Sequence, residues 1–414
     1  MTSFSIQSFG CRVNQAEAFA WATTLQNHGL IYRSEPLRSD IVVVNTCTLT
    51  SRADRDVRHF LNKIVRINPD ARLVVTGCYS ERFCDDLRKS PQVWKVFRNA
   101  EKEDLPDRIL AGLDSRKKSD IKPFRSRALV KIQDGCDFRC SFCIIPEVRG
   151  KSVSLPREKI LAQVREYTKQ GYKEIVLTGI HLCSYGRDRP KKDSLVDLLQ
   201  SVERIEGLGR VRLSSLDPRF LDQRLSDYIA DSPIVCPHFH ISLQHGSDDV
   251  LRRMGRKILA ADYRRMLDDI RRKSPGVSLG ADIIVGFPGE TERDFERMFD
   301  FLERSPLTYF HVFPYSPRPG TPAFRWKQVE ERTKKERSES LRELSKRKNL
   351  LFRQELVGSV WDGVVIKQED GLARILTSNY VSVRVPSCPV EERGQVRVKI
   401  TKAGGNTTLG HLVA

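Results

Sequence analysis

The chain lacks the long apolar runs that would place it in a membrane. No stretch of its 414 residues approaches the ~18–20 consecutive apolar residues that a membrane-spanning helix needs. The N-terminus, Met1-Thr2-Ser3-Phe4, also lacks the basic segment and apolar stretch of a secretory signal. We therefore expect a cytoplasmic protein that has no membrane partner.

Cysteine is too thinly spread for a disulfide-stapled scaffold. The chain has ten cysteines in 414 residues, whereas secreted disulfide domains are short and dense in cysteine. In a reducing compartment, clustered thiols more often bind metals or take part in catalysis than form bridges. The cysteines are therefore the first candidates for chemistry, and they lie at positions 11, 47, 78, 84, 136, 140, 143, 183, 236 and 388.

Acidic residues are outnumbered by basic ones. The 53 Asp and Glu residues face 71 Lys and Arg residues, which gives a net charge of +18. Such an excess is usually a solvated surface, but it also suits contacts with nucleic-acid phosphates. Residues 324–354, for which the pattern predicts a helix, carry 11 Lys and Arg against 5 Glu, and residues 252–257 form a second basic patch. The composition therefore permits a nucleic-acid partner without proving one.

Residues 1–115 alternate short β-rich runs with helical stretches, which predicts a small open α/β domain. The predicted strands are 4–9, 41–44 and 72–76, and the predicted helices are 14–28 and 51–67. Each strand runs into a cysteine, namely Cys11, Cys47 or Cys78. Because the carboxyl ends of parallel strands share one edge, where ligands bind, these thiols could meet in one place. Alternatively, they are small buried residues at strand ends, as we expect for Cys84.

Two more domains are expected after a polar and basic linker over residues 112–127. Residues 122–355 contain six strand patterns separated mostly by helical ones, which predicts a parallel βα barrel. Six units favour a partial barrel over the closed eightfold kind. Residues 357–414 change to β-rich runs separated by Gly, Asp, Asn and Pro, which predicts a small antiparallel β-barrel.

The strongest local signal is a loop that follows the first barrel strand and contains Cys136, Cys140 and Cys143. Three thiolates so close in sequence can bind one soft metal centre. A structural zinc ion would need a fourth ligand, and the nearest candidates, His181 and Cys183, lie far along the chain. A 4Fe–4S cluster held by three cysteines leaves one iron open for a substrate or cofactor.

The spacing of these three cysteines resembles that of the radical S-adenosylmethionine enzymes. In that superfamily the open iron chelates S-adenosylmethionine, and the reduced cluster cleaves it to a 5′-deoxyadenosyl radical. Segments that resemble the methylthiotransferases of this superfamily are residues 134–150, 174–181, 211–215, 238–244, 282–291 and 313–323. The resemblance covers nearly the whole chain. It implies a flavodoxin-like N-terminal α/β domain, a partial (βα)6 radical core and a C-terminal RNA-binding barrel called TRAM.

The resemblance also implies the cofactors and their ligands. It assigns one 4Fe–4S cluster to Cys11, Cys47 and Cys78, and a second to Cys136, Cys140 and Cys143. It places S-adenosylmethionine beside Phe142, Gly179, Gln244 and Gly286, although residues 286–289 could simply form a tight turn. The first cluster would carry or deliver sulfur, supplied by an outside sulfur donor, and an electron donor such as a flavodoxin-type protein would be needed. No side chain is expected to be catalytic, because a base working near neutral pH cannot take hydrogen from an unactivated carbon.

Three branches of the family compete for this chain. Two act on tRNA adenosines beside the anticodon, which carry a threonylcarbamoyl or an isopentenyl group, and the third acts on an aspartate of a ribosomal protein. Residues 10–14 (Gly-Cys-Arg-Val-Asn), 177–186 and 311–316 resemble the threonylcarbamoyl branch, which implies the anticodon stem-loop of tRNA as the partner. Residues 316–320 look more like the isopentenyl branch.

Three positions depart from the threonylcarbamoyl branch: Val153, Ser242 and His245 stand where it usually has Arg, Pro and Ser. These differences concern the substrate pocket and touch no cluster ligand. The histidines 238, 240, 245 and 311 are expected to be structural or substrate-facing rather than metal ligands. A protein of another class, a noncatalytic iron–sulfur RNA-binding module, would need the same charge and clusters but no S-adenosylmethionine.

Overall fold

The computed structural model describes residues 2–113, 125–189, 193–386 and 388–413, so the middle of the expected linker lies outside the described residues. The N-terminal domain is a parallel sheet with the strand order β2-β1-β3-β4-β5. Its strands are β1 (Ser3–Ser8), β2 (Ile31–Tyr32), β3 (Ile41–Thr46), β4 (Arg72–Gly77) and β5 (Val93–Val96). Its helices are α1 (Arg12–Asn27), α2 (Ser51–Ile67), α3 (Cys78–Arg82), α4 (Cys84–Arg88) and α5 (Leu105–Leu110).

This strand order is the flavodoxin-like, doubly wound arrangement. The central strand β3 is completely buried because Ile41 and the valines that follow it face helices on both sides of the sheet. The strand order reverses between β1 and β3, which places a ligand-binding crevice at their carboxyl ends. The prediction of an open α/β domain is confirmed. The short β2 and β5 were not predicted because neither has a fully buried residue.

The central domain is a partial barrel of six parallel strands, as predicted. Its strands are β6 (Ala128–Asp134), β7 (Val153–Ser154), β8 (Glu174–Gly179), β9 (Arg210–Leu213), β10 (His238–His240), β11 (Ser278–Val285) and β12 (Tyr309–Pro314). The strand β7 is a short antiparallel addition to β6. The helices are α6 (Ile145–Arg149), α7 (Arg157–Lys169), α8 (Leu195–Glu203), α9 (Gln223–Asp231), α10 (Asp248–Arg253), α11 (Ala260–Lys273) and α12 (Glu292–Arg304).

The C-terminal part begins with a long helix, α13 (Glu331–Glu355), which packs along β12. It continues into a closed five-stranded barrel, which confirms the predicted small β-barrel. The barrel strands are β13 (Val360–Glu369), β14 (Leu372–Thr377), β15 (Ser382–Pro386), β16 (Gln395–Gly404) and β17 (Thr407–Val413). Alternating burial along β16 places Val396, Val398 and Ile400 in the core of this barrel.

The N-terminal domain closes the open side of the central barrel. Helix α1 packs against β6 and β8, and its Phe19 meets Tyr167 edge to face at a ring distance of 5.0 Å. On another part of the interface, buried Arg318 donates to Asp54 at 2.6 Å. The carboxyl ends of the N-terminal sheet therefore face the interior of the central barrel.

The C-terminal barrel is bound to the amino-terminal ends of the central strands. The side chains of Arg210 and Arg212 donate to the carbonyl oxygens of Leu376 and Thr377, at 2.7 and 3.0 Å. Both arginines also donate to the buried carboxylate of Glu174. Because a carboxylate and carbonyl oxygens balance the two guanidinium charges, they can hold the two barrels together without exposure to water.

Candidate metal centres and cavity

The three N-terminal cysteines lie at the ends of β1, β3 and β4, beside the point where the strand order reverses. Two glycines allow this close approach. At Gly10, which has φ +87°, a Cβ atom would lie 2.6 Å from the sulfur of Cys47. At Gly77, which has φ +106°, a Cβ atom would lie 2.4 Å from the carbonyl oxygen of Thr46. The backbone before Cys11 and before Cys78 therefore has the left-handed conformation that favours glycine.

These thiols form an electrostatically linked group, which we call the first triad. Burial, together with the neighbouring thiols of Cys78 and Cys11, raises the pKa of Cys47 to about 12, while Arg149 acts in the opposite direction. Burial also raises the pKa of Cys11. Buried thiolates need a cation to stabilise them, and a bound metal supplies one.

A buried ion network from two domains surrounds the first triad. Glu17 of α1 lies 2.9 Å from Lys102, 3.2 Å from Lys131 and 3.3 Å from Arg149, measured between nitrogen and oxygen atoms. Burial alone would raise the pKa of Glu17, but these three cations hold it well below its usual range. Arg149 and Lys131 also bind Asp134, at 2.6 and 3.0 Å.

Cys136, Cys140 and Cys143 form a second triad in the loop between β6 and α6. The loop is held by backbone hydrogen bonds from Cys136 to Gly150 and from Cys143 to Cys140, both at 3.0 Å. Burial, with Cys140 and Cys136 nearby, raises the pKa of Cys143 to about 12, while Arg256 acts in the opposite direction. Both triads thus have at least one deeply buried or largely desolvated thiol and an arginine nearby.

Asp217 fixes the arginines beside the second triad. Its carboxylate lies 2.6 Å from Arg219, 3.0 Å from Arg256 and 3.2 Å from His181. Although burial alone would raise the pKa of Asp217, hydrogen bonds from Arg219 and His181 lower it well below its usual range. His181 therefore pairs with a carboxylate rather than acting as a fourth metal ligand.

The two triads border one apolar cluster. Its buried members are Cys78 of the first triad with Ile144, Ile145 and Val148, and the partly buried residues packed against it include Cys136 and Cys143 of the second. A short apolar layer therefore connects the carboxyl edge of the N-terminal sheet to the loop of the second triad. Two redox centres at these positions would face each other across a region shielded from water.

Both triads suit iron–sulfur clusters by the chemistry of their donors. Each offers three thiols, which are soft ligands, and these cysteines are buried in the case of Cys47 and Cys78 and partly buried in the others. Among the described residues, no three His, Cys, Asp or Glu side chains are close enough to hold one metal ion. A 4Fe–4S cluster does not require such closeness, because each cysteine binds a different iron atom. The remaining cysteines are expected to be structural: Cys84, Cys183 and Cys236 are buried, and Cys388 is partly buried against the core of the C-terminal barrel.

Of the four residues predicted to bind S-adenosylmethionine, Phe142 adjoins the second triad in the chain. Phe142, which directly precedes Cys143, packs on Phe287 at a ring distance of 6.4 Å. Gln244 has φ +84°, an unusual backbone conformation that often marks functional sites. At Gly179 and Gly286 a Cβ atom would meet Gln133 and Lys334, at 2.9 and 2.1 Å. Packing alone thus explains both glycines, and their contact with the cofactor stays a prediction.

A cavity of about 300 Å³ lies inside the partial barrel, beside the first triad. Cys11 and Arg12 of the N-terminal domain, central strands β8 to β12, and Tyr380 of the C-terminal barrel all line it. Its polar wall is formed by Arg12, Arg212, His238, His240, Asp282, Tyr309, His311 and Tyr380. Phe313, which is 45% exposed, also lines the cavity. Arg12 and Arg212 lie in segments that resemble the family, but no sequence pattern assigned them, Tyr309 or Tyr380 to a common site, because these residues come from all three domains.

Hydrogen bonds connect the polar wall across domain boundaries. Tyr309 Oη lies 2.7 Å from His238 Nε2 and 3.2 Å from His240 Nδ1, and His238 stacks on Tyr380 at 4.2 Å. Arg12 donates to Tyr380 Oη at 3.0 Å. Burial, with Arg212 and other nearby cations, lowers the pKa of His238 well below its usual value, so this histidine is neutral near pH 7. His238, His240 and His311 therefore line the cavity, and their structural or substrate-facing role stays a prediction.

The other notable histidine, His245, is structural. It is fully buried, lies 3.3 Å from Glu290 and accepts from the backbone N–H of Ser247 at 2.9 Å. Ser242, which also departs from the pattern of the threonylcarbamoyl branch, has a hydrogen-bond partner nearby, because its hydroxyl donates to Asp282 at 3.1 Å. Val153 is 57% exposed at the short strand β7.

A second, cationic cavity of about 330 Å³ lies on the outside, between the C-terminal barrel and the start of β6. We call it the cationic groove, and its charged lining comprises Arg12, Arg125, Arg127, Lys367, Arg393 and Glu392. Burial and the nearby guanidiniums of Arg12 and Arg127 lower the pKa of Arg125, which shows that like charges crowd here. Arg12 lines both the groove and the inner cavity.

Part of the charge on helix α13 serves the fold. Lys334 is buried behind Gly286, and Arg337 donates to Glu290 at 2.6 Å. Arg353 donates to Thr407 of the C-terminal barrel at 3.1 Å. In the second basic patch, Arg256 is buried against Asp217. Less of this charge is available to nucleic acid than the composition indicated.

Comparisons with known proteins agree with this architecture. A family model described as the radical SAM superfamily matches residues 130–302, and one described as uncharacterized protein family UPF0004 matches residues 3–98. A protein of Aquifex aeolicus named threonylcarbamoyladenosine tRNA methylthiotransferase MtaB is 36% identical over 398 residues, 92% of this chain and 96% of that protein. A protein of the same name from Bacillus subtilis is 33% identical over 428 residues, 98% of this chain and 95% of that protein.

A solved structure supports the fold. The radical S-adenosylmethionine methyltransferase TsrM from Kitasatospora setae superimposes with a TM-score of 0.57 at 15% identity, covering 78% of this chain and 77% of that one. At this identity the likeness concerns the fold alone. Within the described residues, no helix is both long and apolar enough to cross a membrane.

Proposed function

The chain belongs to the radical S-adenosylmethionine methylthiotransferases, and from this premise we propose that it converts N6-threonylcarbamoyladenosine beside the tRNA anticodon to its 2-methylthio derivative. Because the members of this family are enzymes, the alternative interpretation as a noncatalytic iron–sulfur RNA-binding module is no longer supported. The observation that carries the substrate assignment is the polar wall of the cavity beside Cys11.

The polar wall suits a threonylcarbamoyl group better than an isopentenyl group. The former has a carboxylate, a hydroxyl and a urea-like link, whereas the latter is a hydrocarbon. Arg12 can pair with the carboxylate, and Tyr309 and His311 can form hydrogen bonds to the neutral groups. A site built to form hydrogen bonds rejects an analogue that lacks them, because its own buried polar groups would be left unpaired.

We propose that the first triad and the second triad each hold one 4Fe–4S cluster, with S-adenosylmethionine beside Phe142 and Gln244. When bound, these groups supply the sulfur, the methyl group and the radical chemistry that activates the adenine carbon. The chain itself orients the reactants and excludes water. The apolar layer around Ile145 and Val148 shields the two centres, and Phe313 offers a face on which the target base can stack.

We propose that the tRNA backbone lies in the cationic groove. Arg125 and Lys367 suit phosphate groups, which give affinity without reading the sequence, whereas Arg127 is already paired with Glu174 at 3.1 Å. Arg12 belongs to both the groove and the inner cavity, so a nucleotide held in the groove has its base close to the polar wall. The adenosine must leave its stack to enter, as bases do in other enzymes that modify them.

Nucleoside mass spectrometry of tRNA from a strain without this protein tests the proposal. We expect 2-methylthio-N6-threonylcarbamoyladenosine to disappear and N6-threonylcarbamoyladenosine to accumulate, while the 2-methylthio isopentenyl nucleoside stays. Loss of the isopentenyl product instead would show that the substrate assignment is wrong.

The polar wall itself can be tested with Arg12→Met. Loss of a charge-assisted contact worth about 1.4 kcal/mol should raise the KM for threonylcarbamoylated tRNA about tenfold. Lys169→Met, on the exposed end of α7, is the matched control and should leave the KM unchanged. A KM that does not change in Arg12→Met would remove this residue from the substrate site.

A further inference from the structure

Arg149 contacts a cysteine of the first triad, and the residue that follows it, Gly150, contacts a cysteine of the second triad. Arg149 is the last residue of α6, directly after the loop of the second triad, yet its side chain reaches the N-terminal domain. Its Nε–H donates to the sulfur of Cys78 at 3.3 Å, and the side chain is only 1% exposed. The carbonyl of the next residue, Gly150, accepts the backbone N–H of Cys136 at 3.0 Å.

The buried network around Arg149 has more basic than acidic members. Lys102, Lys131 and Arg149 face only two carboxylates, Glu17 and Asp134. A buried charge without a counter-ion is costly. A cluster held by the three thiolates of the first triad would carry a net negative charge next to this excess positive charge and would thus offset it. The network is therefore suited to an anionic group on the first triad.

We propose that Arg149 is the positioning residue of the first cluster: it binds the Cys78 thiolate from the radical domain and sets the cluster's reduction potential and its placement relative to the second. This inference rests on the proposed two-cluster arrangement. A reduced cluster carries one more negative charge than an oxidised one, so a cationic N–H donor at its sulfur favours reduction. Since residues 149–150 hold both Cys78 and Cys136, they also couple the placement of the two centres.

The potential of the first cluster can be measured alone in a full-length background with Cys136, Cys140 and Cys143 changed to alanine. After anaerobic reconstitution with iron and sulfide, a redox titration followed by electron paramagnetic resonance gives its midpoint. In Arg149→Gln we expect full iron and a reduction equilibrium about tenfold less favourable, which for one electron is about 59 mV lower. Arg149→Lys keeps the charge and should recover part of this shift.

A purely structural role makes different predictions. Removing Arg149 leaves two cations, Lys102 and Lys131, against two carboxylates, so the side chains of the network become balanced among themselves and the domain interface can form. The matched control is Arg318→Gln, because Arg318 is also buried and also crosses to the N-terminal domain, where it binds Asp54 rather than a cysteine. We expect Arg318→Gln to lower the melting temperature and to leave the potential of the first cluster unchanged.

The outcomes separate this inference from the proposal on which it rests. A fully loaded Arg149→Gln with the parent's potential would overturn the role of Arg149 and leave the two-cluster proposal intact. Iron loss in both Arg149→Gln and Arg149→Lys would assign the residue to folding and overturn the inference. Iron loss in Arg149→Gln that Arg149→Lys restores would support it. A parent that binds no iron would refute both proposals together.

Discussion

The two cysteine triads differ in how they are assembled. The second triad comes from one loop, residues 136–143, and is held by backbone hydrogen bonds within the central domain. The first triad comes from the ends of three strands and exists only when the N-terminal sheet has formed. Two glycines with positive φ, Gly10 and Gly77, allow its members to come together.

The surroundings of the two triads differ as well. Arg219 and Arg256, beside the second triad, belong to the same domain as its cysteines. The guanidinium beside the first triad, Arg149, belongs to the neighbouring domain. The first site is thus completed by a domain that does not carry its ligands, so we expect it to be the more sensitive to changes in the fold.

The largest expected effect comes from replacing one cysteine of each triad, because the two variants should lose different activities. We expect Cys47→Ala to bind roughly half of the iron and to lose methylthiolation, yet to keep cleaving S-adenosylmethionine, because the second triad is intact. Cys140→Ala should lose cleavage. Iron content and release of 5′-deoxyadenosine measure both effects.

The control for these variants is Cys84→Ala, which removes a buried thiol outside the triads. It should retain full iron and full cleavage. Full iron in Cys47→Ala would refute the two-cluster proposal.

A smaller effect is expected when the fold, rather than a ligand, is changed. Gly77→Ala places a methyl group against Thr46 at a backbone conformation that disfavours alanine, which should cost about 3 kcal/mol and lower iron only in the first triad. Gly171→Ala has a similar φ of +85° but open space around it, and should cost about 1 kcal/mol with no loss of iron. Urea unfolding and iron analysis make the comparison.

If Gly77→Ala kept its iron at lower stability, the first triad would depend less on the sheet than its geometry indicates. If both triads lost iron together, the two sites would form one cooperative unit.

The smallest expected effect is on the pH dependence of stability. It compares a buried histidine of the central barrel with exposed histidines of the N-terminal domain. His238 is buried in the barrel with a lowered pKa, whereas His28 and His59 of the N-terminal domain are exposed. Below about pH 6.5 the unfolded chain takes up a proton that folded His238 resists, so stability should fall by up to ~1.4 kcal/mol per pH unit. Urea unfolding at pH 7 and pH 5 measures this dependence.

His238→Phe keeps the stacking on Tyr380 and should reduce the pH dependence, while His311, whose pKa is also lowered by burial, keeps contributing. His28→Gln is the exposed control and should leave it as in the parent. If the parent and His238→Phe lost the same free energy of unfolding between pH 7 and pH 5, groups other than His238 would be responsible for the pH dependence.

The elements that could be predicted have strong local patterns. The helix Ser51–Ile67 was predicted to the residue, because it has regular apolar spacing and a clear end signal in Asn68-Pro69. In the C-terminal barrel, the β-rich runs 360–366, 381–385 and 395–400 predicted β13, β15 and β16, whereas β14 and β17 were missed. Their half-exposed residues, such as Leu372 and Leu409, weaken the alternation on which strand prediction depends.

The sequence by itself determined the second triad, the strand-end positions of Cys11, Cys47 and Cys78, and the resemblance to the methylthiotransferases. These are properties of short spacing and of strand order, which do not depend on how domains dock. Only the tertiary structure decided the polar cavity, the cationic groove and the contact of Arg149 with Cys78. The reason is physical: each of these features joins side chains from different domains, and no local pattern records which faces will meet.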